Sequence, residues 1–424
     1  MEAKKKMVID FSETEDQKLM VKSVKEWCER YLTPEKVREM DDRGHPFPKD
    51  VVEGLASLGI IMGPVPAEHG GSGIDWLTQS MIAEVIGYYE PTIAAAAGLM
   101  AVETGWGFTI DRYCSETVRE KYIKPAIKGE KFVGIGTTEA GGGSDVAAFK
   151  STAKKEGDEW IINGEKTFIS GTEECKIWGG GYWINVRTGP APPEAPHRNM
   201  TSFFLPIDAE GLEVQEPYRD AGRMAISTGG FAMKNVHLPD EYRVGEVGKG
   251  FYCTMEGFDN ARIMIAASCV GVIKRVLDEA VPYIKDRKVF GMPLAKYEAI
   301  QFELAELYTQ MEALKLITQK AAWMQDIRYR EEGIVKKTSD ATTFKPTEIA
   351  KWISMAKMIG PSLALETARK AMIWLGAAGY TKEYLLEAVW RGIMSYVVGA
   401  EGGLNIQKIV IARELLGKEF IPYK

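Results

Sequence analysis

The sequence has few of the residues from which disulfide frameworks and metal sites are built. Its 424 residues include five cysteines and four histidines. No two cysteines form a CxxC pair, and their odd, scattered count argues against a disulfide framework. The histidines are far apart in sequence and show no HxxxH spacing, so we expect no metal site built on them. Free thiols indicate a reducing compartment.

Charge excess and long apolar runs are also missing. The formal net charge is -6, which gives no electrostatic reason to expect a nucleic acid or an anionic membrane as partner. No apolar run of about 18 residues or more is present, so we expect no membrane span. The basic N-terminal stretch resembles neither a secretory signal nor an organelle transit peptide, which makes the cytoplasm the expected location.

What the sequence contains instead is a helical region followed by a strand-rich one. Ser12, with Glu15 three residues on, predicts a capped helix start, and residues 77–89 have the apolar period of a helix. From residue 132 onwards, short runs of β-forming residues alternate with glycine and proline. Within this region Asn163-Gly164 predicts a two-residue hairpin turn.

After residue 250 the helical period returns. Four apolar stripes predict four long helices, the third interrupted at Gly360-Pro361 and the last over residues 403–416. The whole pattern predicts an α+β multi-domain protein. Its three parts are an N-terminal helical domain over 1–131, a central antiparallel β-barrel or sandwich over 132–249, and a C-terminal four-helix bundle over 250–424.

The stretch with the most chemical information is glycine-rich. Residues 136–148 read GTTEAGGGSDVAA, with hydroxyl side chains on both sides of the glycines. Glycines let a ligand approach the backbone closely, and their N–H groups can bind phosphate. The stretch is neither the GxGxxG dinucleotide fingerprint nor a P-loop. From its glycine content alone, a surface turn before a strand is the simplest interpretation.

Together with five other stretches, this region resembles the acyl-CoA dehydrogenase family. Residues 138–145, TEAGGGSD, resemble the family motif TEPxAGSD. The other matches are PAEHGGSGID at 66–75, NGEKTFIS at 163–170, the VHLP…GKGF stretch at 236–251, RKVFGMPL at 287–294, and EGGLNIQ…IAREL at 401–415. Six ordered matches are far more specific than any one of them. The resemblance implies the same helical, β, helical layout, FAD as cofactor and an acyl-CoA substrate.

The resemblance assigns FAD contacts to particular residues. Thr138 and Ser144 match positions that hydrogen-bond the flavin ring and pyrophosphate, or nearby substrate atoms. Phe168 matches the aromatic residue, usually tryptophan, that lies against the flavin, and Ser170 matches a threonine near flavin N5.

Two further matches imply an oligomer. Arg287 matches an arginine that reaches the FAD pyrophosphate of a neighbouring subunit through a charge-assisted contact, and Phe290 packs beside it. The resemblance therefore implies a homo-oligomer, expected to be a tetramer, with an electron-transfer flavoprotein as redox partner.

The resemblance also assigns a catalytic base. Glu401 matches the glutamate of the family motif EGTxEIQ, which abstracts the α-proton of the acyl thioester. A simpler interpretation, an acid at a helix N-terminus, is compatible with this role. Some relatives carry the base on an earlier helix, but Ala261 occupies that position here. Ala400 and Gly402 beside the base, and Arg262, a common family arginine, are the predicted substrate contacts.

The sequence departs from the family pattern at several FAD-contacting positions. Gly403 replaces the threonine of EGT, and Glu298 stands where glutamine is usual. Ile373 and Ala377 replace a glutamine and a glycine that contact the FAD of the partner subunit. These changes affect the predicted details of FAD contact and leave the class unchanged.

Small residues flank the predicted acyl site. The residue before the base, often tyrosine in the family, is Ala400, and the segment that matches the pocket floor, residues 93–100, reads IAAAAGLM. This favours a cyclic (cyclohexanecarboxyl-type), aryl-substituted or branched acyl group. No arginine occurs between residues 84 and 100 to bind a distal carboxylate. A straight short or medium chain, or a dicarboxylic (benzylsuccinyl-type) acyl group, is the alternative.

Three other functions use this scaffold. An acyl-CoA oxidase shares the half-reaction but is typically longer, with an extra helical domain. A flavin monooxygenase would not need an acid at position 401. A non-catalytic CoA-binding scaffold would not need Thr138, Ser144, Arg287 and Glu401 together. The sequence therefore favours a dehydrogenase.

Overall fold

The N-terminal part of the chain is helical, as predicted. The structure is a computed structural model that describes residues 12–190, 192–333 and 343–422. The first helices are α1 (Glu15–Tyr31), α2 (Pro34–Arg43), α3 (Lys49–Ser57), α4 (Trp76–Tyr89), α5 (Gly107–Tyr113), α6 (Glu116–Val118) and α7 (Lys124–Ile127). Two π-helical segments, Ala96–Trp106 and Arg119–Ile123, lie directly before α5 and α7. In the described part of the chain, no helix is long and apolar enough to cross a membrane.

The predicted capping box of α1 is wrong by two residues. Thr14, not Ser12, is the N-cap: its hydroxyl accepts from the N–H of Gln17 at 3.2 Å, and the Gln17 side chain accepts from the N–H of Thr14 at 3.0 Å. Both sequence pairs satisfy the box pattern. Gln17 also donates to the Thr78 hydroxyl on α4 at 3.2 Å, a tertiary contact that favours the later start.

A single eight-stranded sheet follows. Its strands are β1 (Phe132–Gly136), β2 (Thr152–Glu156), β3 (Glu159–Ser170), β4 (Gly180–Arg187), β5 (Met200–Pro206), β6 (Leu212–Val214), β7 (Thr228–Pro239) and β8 (Arg243–Val244), with helix α8 (Thr172–Trp178) after β3. The strand order is β6-β7-β3-β2-β4-β5-β8, and β1 pairs with β4. The pairing is antiparallel as predicted, except that β4 runs parallel to β1 and to one residue of β2.

The predicted hairpin at Asn163-Gly164 is wrong, because β3 runs straight through this pair. The turn lies earlier, at Gly157-Asp158, where β2 and β3 pair up to Glu156 and Glu159. Gly164 instead marks a bulge against β7, with φ at +140°. A Cβ there would lie 2.3 Å from the Ser151 hydroxyl oxygen, so close approach is what requires the glycine.

The C-terminal part is again helical. It contains α9 (Gly250–Asp286), a hairpin of β9 (Lys288–Val289) and β10 (Met292–Pro293), and then α10 (Glu298–Glu332), α11 (Pro346–Leu375), α12 (Leu386–Val398) and α13 (Leu404–Leu416). The predicted interruption at Gly360-Pro361 is wrong, because α11 continues through both residues. Both are buried, and a Cβ on Gly360 would be 3.3 Å from Cys269 on α9. Close packing of α11 on α9 outweighs the backbone hydrogen bond that proline removes.

The segment Ala96–Trp106 lies in the middle of the molecule and connects the three parts. Every one of its residues is buried. It packs against α9 so closely that a Cβ on Gly105 would lie 2.7 Å from the Cα of Ala261. Its last residue, Trp106, makes an edge contact with Trp183 of β4 at 5.9 Å between ring centroids. The fold therefore brings this segment, the sheet and α9 together at one place.

Candidate active site

Glu401 lies in the short turn between α12 and α13, in a strained backbone conformation. Its φ is +55°, and that of the following Gly402 is +87°. A positive φ at a non-glycine residue persists only when surrounding contacts hold it. On α9, Nε of Arg262 donates to the Glu401 carbonyl at 2.9 Å. On α11, Nζ of Lys357 donates to the carbonyls of Gly402 at 2.7 Å and Tyr396 at 2.8 Å.

Glu401 is half-buried, and its carboxylate meets the buried indole of Trp106. Its Oε2 accepts a hydrogen bond from Nε1 of Trp106 at 3.1 Å. Among the described residues, Oε1 accepts no hydrogen bond. Burial raises the pKa of Glu401 to about 7, against the opposing effects of the Trp106 hydrogen bond and of the positive charges on Arg262, Lys357 and Arg223. A carboxylate that titrates near neutral pH, with one oxygen free, has the properties of a general base.

The alternative position for a base is closed. Ala261 is fully buried, and the virtual Cβ of Gly105 lies 3.1 Å from its methyl carbon. Because the π-helical segment contacts α9 at this point, we expect a glutamate side chain at position 261 to strain the packing of the two elements.

Arg262, a predicted substrate contact, is committed to the turn that carries Glu401. It is buried, bonds the Glu401 carbonyl, pairs with Asp259 at 3.3 Å and lies over the Phe258 ring at 5.0 Å. The predicted contact of this arginine with substrate stays a prediction. Ala400 and Gly402 flank the base in the same turn, and both are partly exposed.

The predicted pocket floor lies in the core. Residues 93–100 are all buried, and a Cβ on Gly98 would meet Cδ1 of Ile226 at 3.0 Å. The N–H of Ala95 donates to the buried Glu90 carboxyl at 2.8 Å. Part of this small-residue run therefore serves close packing. Two cavities, of about 670 and 550 Å³, lie elsewhere between helices, and Glu401 lines neither of them.

A flat aromatic surface on the sheet marks a second part of the site. Phe168 is 67% exposed although it sits in β3, and its φ is +55° at a register shift of the strand. Its ring stacks on Tyr218 at 5.1 Å. Nearby, the Ser170 hydroxyl accepts from Arg223 at 3.0 Å. The strained backbone turns the Phe168 ring towards a ligand-accessible face.

The glycine-rich stretch lies beside this aromatic surface. The Thr138 carbonyl accepts from the N–H of Thr167 at 2.9 Å, which fixes the stretch next to Phe168. A Cβ on Gly141 or Gly142 would meet no atom within 4 Å, so the backbone there is open. Ser144 is exposed. The hydroxyl of Thr137 is buried and has no hydrogen-bond partner among the described residues.

These features fit a bound FAD. An exposed aromatic face, an open glycine turn and an unpaired hydroxyl lie on neighbouring elements. By contrast, Glu139 in the same motif is structural, because its carboxylate pairs with Lys166 at 2.8 Å and accepts from the backbone N–H of Ser151 at 3.0 Å.

Arg287 and Phe290 lie apart from this surface, on the β9–β10 hairpin. Phe290 and Gly291 form its two-residue turn, with φ of +48° and +84°, and Phe290 is 96% exposed. Arg287 is also exposed. Phe290 lies at the tip of the hairpin and Arg287 at its base, where α9 ends, and both side chains are exposed and can reach another molecule.

Comparison with known proteins decides the family. The acyl-CoA dehydrogenase N-terminal, middle and C-terminal domain models match residues 14–130, 134–236 and 248–416. A 3-(aryl)acrylate reductase of Clostridium sporogenes is 30% identical over 95% of this chain and 99% of its own. The chain belongs to the acyl-CoA dehydrogenase family. It is thus an FAD-dependent oxidoreductase that dehydrogenates acyl-CoA thioesters, and its predicted fold class is confirmed.

Other proteins of the acyl-CoA dehydrogenase family align with this chain over nearly its whole length. The subunit CarC of a caffeyl-CoA reductase-Etf complex from Acetobacterium woodii is 30% identical over 96% of this chain and 99% of its own. Among solved structures, butyryl-CoA dehydrogenase from Megasphaera elsdenii is 28% identical with a TM-score of 0.83, covering 96% of this chain and 100% of that chain.

Four residues of the site were missed by the sequence analysis: Trp106, Tyr218, Arg223 and Lys357. None lies in a stretch that carries the family resemblance. One signal was available for Trp106, since it follows the small-residue run at 94–98 in the same segment.

Proposed function

We propose that the protein removes a proton and a hydride from adjacent carbons of an acyl-CoA thioester with Glu401 as the base. The observation that carries the proposal is the setting of the Glu401 carboxylate: burial raises its pKa to about 7, and among the described residues its Oε2 accepts from Trp106 while its Oε1 accepts no hydrogen bond. An α-hydrogen of a thioester is weakly acidic, so the reaction needs a base of this kind close to the operating pH.

The groups around Glu401 support proton transfer in defined ways. Arg262 and Lys357 hold the turn by its carbonyls, so the carboxylate is kept in one orientation. Their positive charges offset part of the desolvation of the ionised form. FAD, when bound, would supply the acceptor for the hydride that leaves the β-carbon.

The proposed FAD contacts come from two subunits. In one subunit the proposed contacts are Phe168, which forms the exposed aromatic face, together with Ser170 on the same strand and Thr138 and Ser144 in the glycine-rich stretch. We propose that Arg287 and Phe290 of the partner subunit complete the site, because the hairpin that carries them is exposed. This arrangement requires a homo-oligomer, proposed to be a tetramer.

The proposed substrate is an aryl-substituted, cyclic or branched acyl-CoA. Two relatives at 30% identity have names that refer to aryl-substituted acrylates, one as the arylacrylate itself and one as caffeyl-CoA. Next to Glu401, Trp106 and Phe258 form an edge-to-face pair at 5.0 Å, an apolar aromatic wall beside the base. Ala400 leaves space at the same turn. These observations favour a ring over a straight chain.

The proposed electron partner is an electron-transfer flavoprotein, and the proposed location is the cytoplasm. The name of one relative places it in a complex with such a flavoprotein. Both that relative and the arylacrylate reductase are named as reductases, so the net direction depends on the redox partner, with Glu401 then returning the α-proton.

Anaerobic bleaching of the flavin by a panel of thioesters tests the proposal. The panel contains 3-phenylpropanoyl-CoA, cyclohexanecarboxyl-CoA and butyryl-CoA. We expect Glu401→Gln to keep FAD and lower the bleaching rate constant by about 10³-fold, within the 10²–10⁴-fold range for loss of a general base. Glu103→Gln, which changes a second buried carboxyl, is the matched control and should bleach normally.

Two outcomes would contradict parts of the proposal. Near-normal bleaching in Glu401→Gln would remove Glu401 as the base. Fast turnover of the wild type with O₂ alone would indicate an oxidase.

A further inference from the structure

The indole of Trp106 is held in one position by elements from three parts of the chain. Trp183 of β4 and Phe258 of α9 contact it edge-on at 5.9 and 5.0 Å. Gly257 provides the space, because a Cβ there would lie 2.2 Å from the indole ring. Trp106 itself has no solvent exposure. An indole fixed in this way has its N–H direction determined by packing.

That fixed N–H points at the base. Nε1 of Trp106 donates to Oε2 of Glu401 at 3.1 Å, while Oε1 accepts no hydrogen bond among the described residues. An indole can donate but cannot accept, so it bonds an ionised carboxylate more strongly than a protonated acid. The hydrogen bond thus makes Oε2 of Glu401 different from Oε1, and it stabilises the ionised carboxylate more than the protonated acid.

We propose that Trp106 is a positioning residue that holds Oε2 of Glu401, leaves Oε1 to take the α-proton, and favours the ionised base. The inference rests on the proposed role of Glu401. It adds a group that none of the family motifs in this chain contains.

The other charged and titratable groups that face Glu401 belong to four elements. They are Arg262 with Asp259 on α9, Lys357 on α11, Tyr396 on α12, and Arg223 in the loop before β7. None of these side chains is bonded to the Glu401 carboxylate. Arg262 donates to the backbone carbonyl of Glu401, and Lys357 donates to the backbone carbonyl of Gly402. Trp106 is therefore the group whose removal changes the carboxylate directly and leaves those charges in place.

The test is the pH dependence of anaerobic flavin bleaching in Trp106→Phe, which keeps an aromatic ring and loses the N–H. The probe is whichever thioester of the panel bleaches the wild type fastest. Loss of a hydrogen bond to an ionised group corresponds to about one pH unit of carboxylate titration. We expect the acid limb of the rate profile to move up by about one unit. The rate in Trp106→Phe should fall roughly tenfold below the wild-type rate at pH 6. At pH 9 it should fall much less, because Glu401 is then ionised in both proteins.

Trp183→Phe is the matched control. Trp183 is fully buried, touches the same indole, and its own N–H has no hydrogen-bond partner among the described residues. Its replacement should leave the acid limb where it is in the wild type. An equal rate loss at every pH in Trp106→Phe would make the tryptophan a packing residue and overturn the inference.

A second measurement does not depend on catalysis. The folded-state pKa of Glu401 is raised, so stability is lost as pH rises towards about 7 in the wild type and should continue to be lost to a higher pH in Trp106→Phe. The gap in thermal stability between the two proteins should widen from pH 6 to pH 9. A constant gap would contradict the inference, whereas normal bleaching in Glu401→Gln would instead contradict the proposed base.

Discussion

A buried carboxyl near the site gives a prediction about stability that is independent of catalysis. Glu103 lies in the π-helical segment with no solvent exposure. Its only described hydrogen bond comes from the N–H of Val133 at a long 3.4 Å, and its Oε2 has no partner among the described residues. Burial holds the pKa of Glu103 well above its usual range. The folded protein therefore keeps this group protonated at pH values where the unfolded chain ionises it.

The sign of the effect follows from proton binding. Between the unfolded-state pKa, about 4.3, and the raised folded-state pKa, the unfolded chain binds fewer protons than the folded protein. The free energy of unfolding then falls as pH rises, by about 1.4 kcal/mol per pH unit for one group. Glu103→Gln has nearly the same shape and does not titrate. Its stability relative to the wild type should therefore rise by about 1.4 kcal/mol from pH 5.5 to pH 6.5.

The assay is urea unfolding of wild type and Glu103→Gln at pH 5.5 and 6.5, each with saturating FAD. Glu174 provides the control, since it is also buried but accepts from the backbone N–H groups of Phe47 at 2.9 Å and Ser227 at 3.2 Å. Glu174→Gln should be less stable than wild type, because it weakens these hydrogen bonds. If the Glu103→Gln difference is the same at both pH values, Glu103 is ionised in the folded protein and the reasoning is wrong.

The remaining predictions concern the turn that carries the base and the acyl pocket. Lys357→Met removes the Lys357 hydrogen bonds to the carbonyls of Tyr396 and Gly402, of which the second keeps a donor in Gln407, and it removes a cation near Glu401. The bleaching rate constant should therefore fall roughly 10- to 100-fold, given about 1.5–3 kcal/mol for a charged hydrogen bond. Lys351→Met on the same helix is its control, and equal rates in the two variants would contradict the role. Ala400→Tyr should lower kcat/KM for cyclohexanecarboxyl-CoA about 5- to 150-fold through overpacking of roughly 1–3 kcal/mol and spare butyryl-CoA. Equal slowing of both thioesters would refute the wide pocket.

The sequence predicted the fold class well because its main signals are local and redundant. Apolar periodicity identified the helical and strand-rich regions, and the ordered motifs identified the family. Errors arose where a local signal had two solutions or was overridden by packing. Ser12 and Thr14 both satisfy a capping box, and the buried contact of Gln17 with Thr78 favours the second. Asn163-Gly164 has turn chemistry, but β3 uses the glycine for close approach to Ser151.

The site residues divide in the same way. Glu401 could be predicted because it lies inside a recognisable motif, whereas Trp106 could not, because its role depends on residues about 150 and 295 positions away that a single sequence does not connect to it. The glycines beside it show what determines the geometry. Gly257 makes room for the indole, and Gly105 brings the π-helical segment onto Ala261.

Gly105 and Gly257 affect both the alanine at position 261 and the surroundings of Glu401. Gly105 lets the π-helical segment pack directly on Ala261 of α9, and the next residue, Trp106, donates to Glu401. We expect a glutamate at position 261 to strain this contact and to weaken the hydrogen bond from the indole N–H to Glu401. In this protein the same close packing therefore surrounds an alanine at position 261 and fixes the tryptophan that bonds the base at position 401.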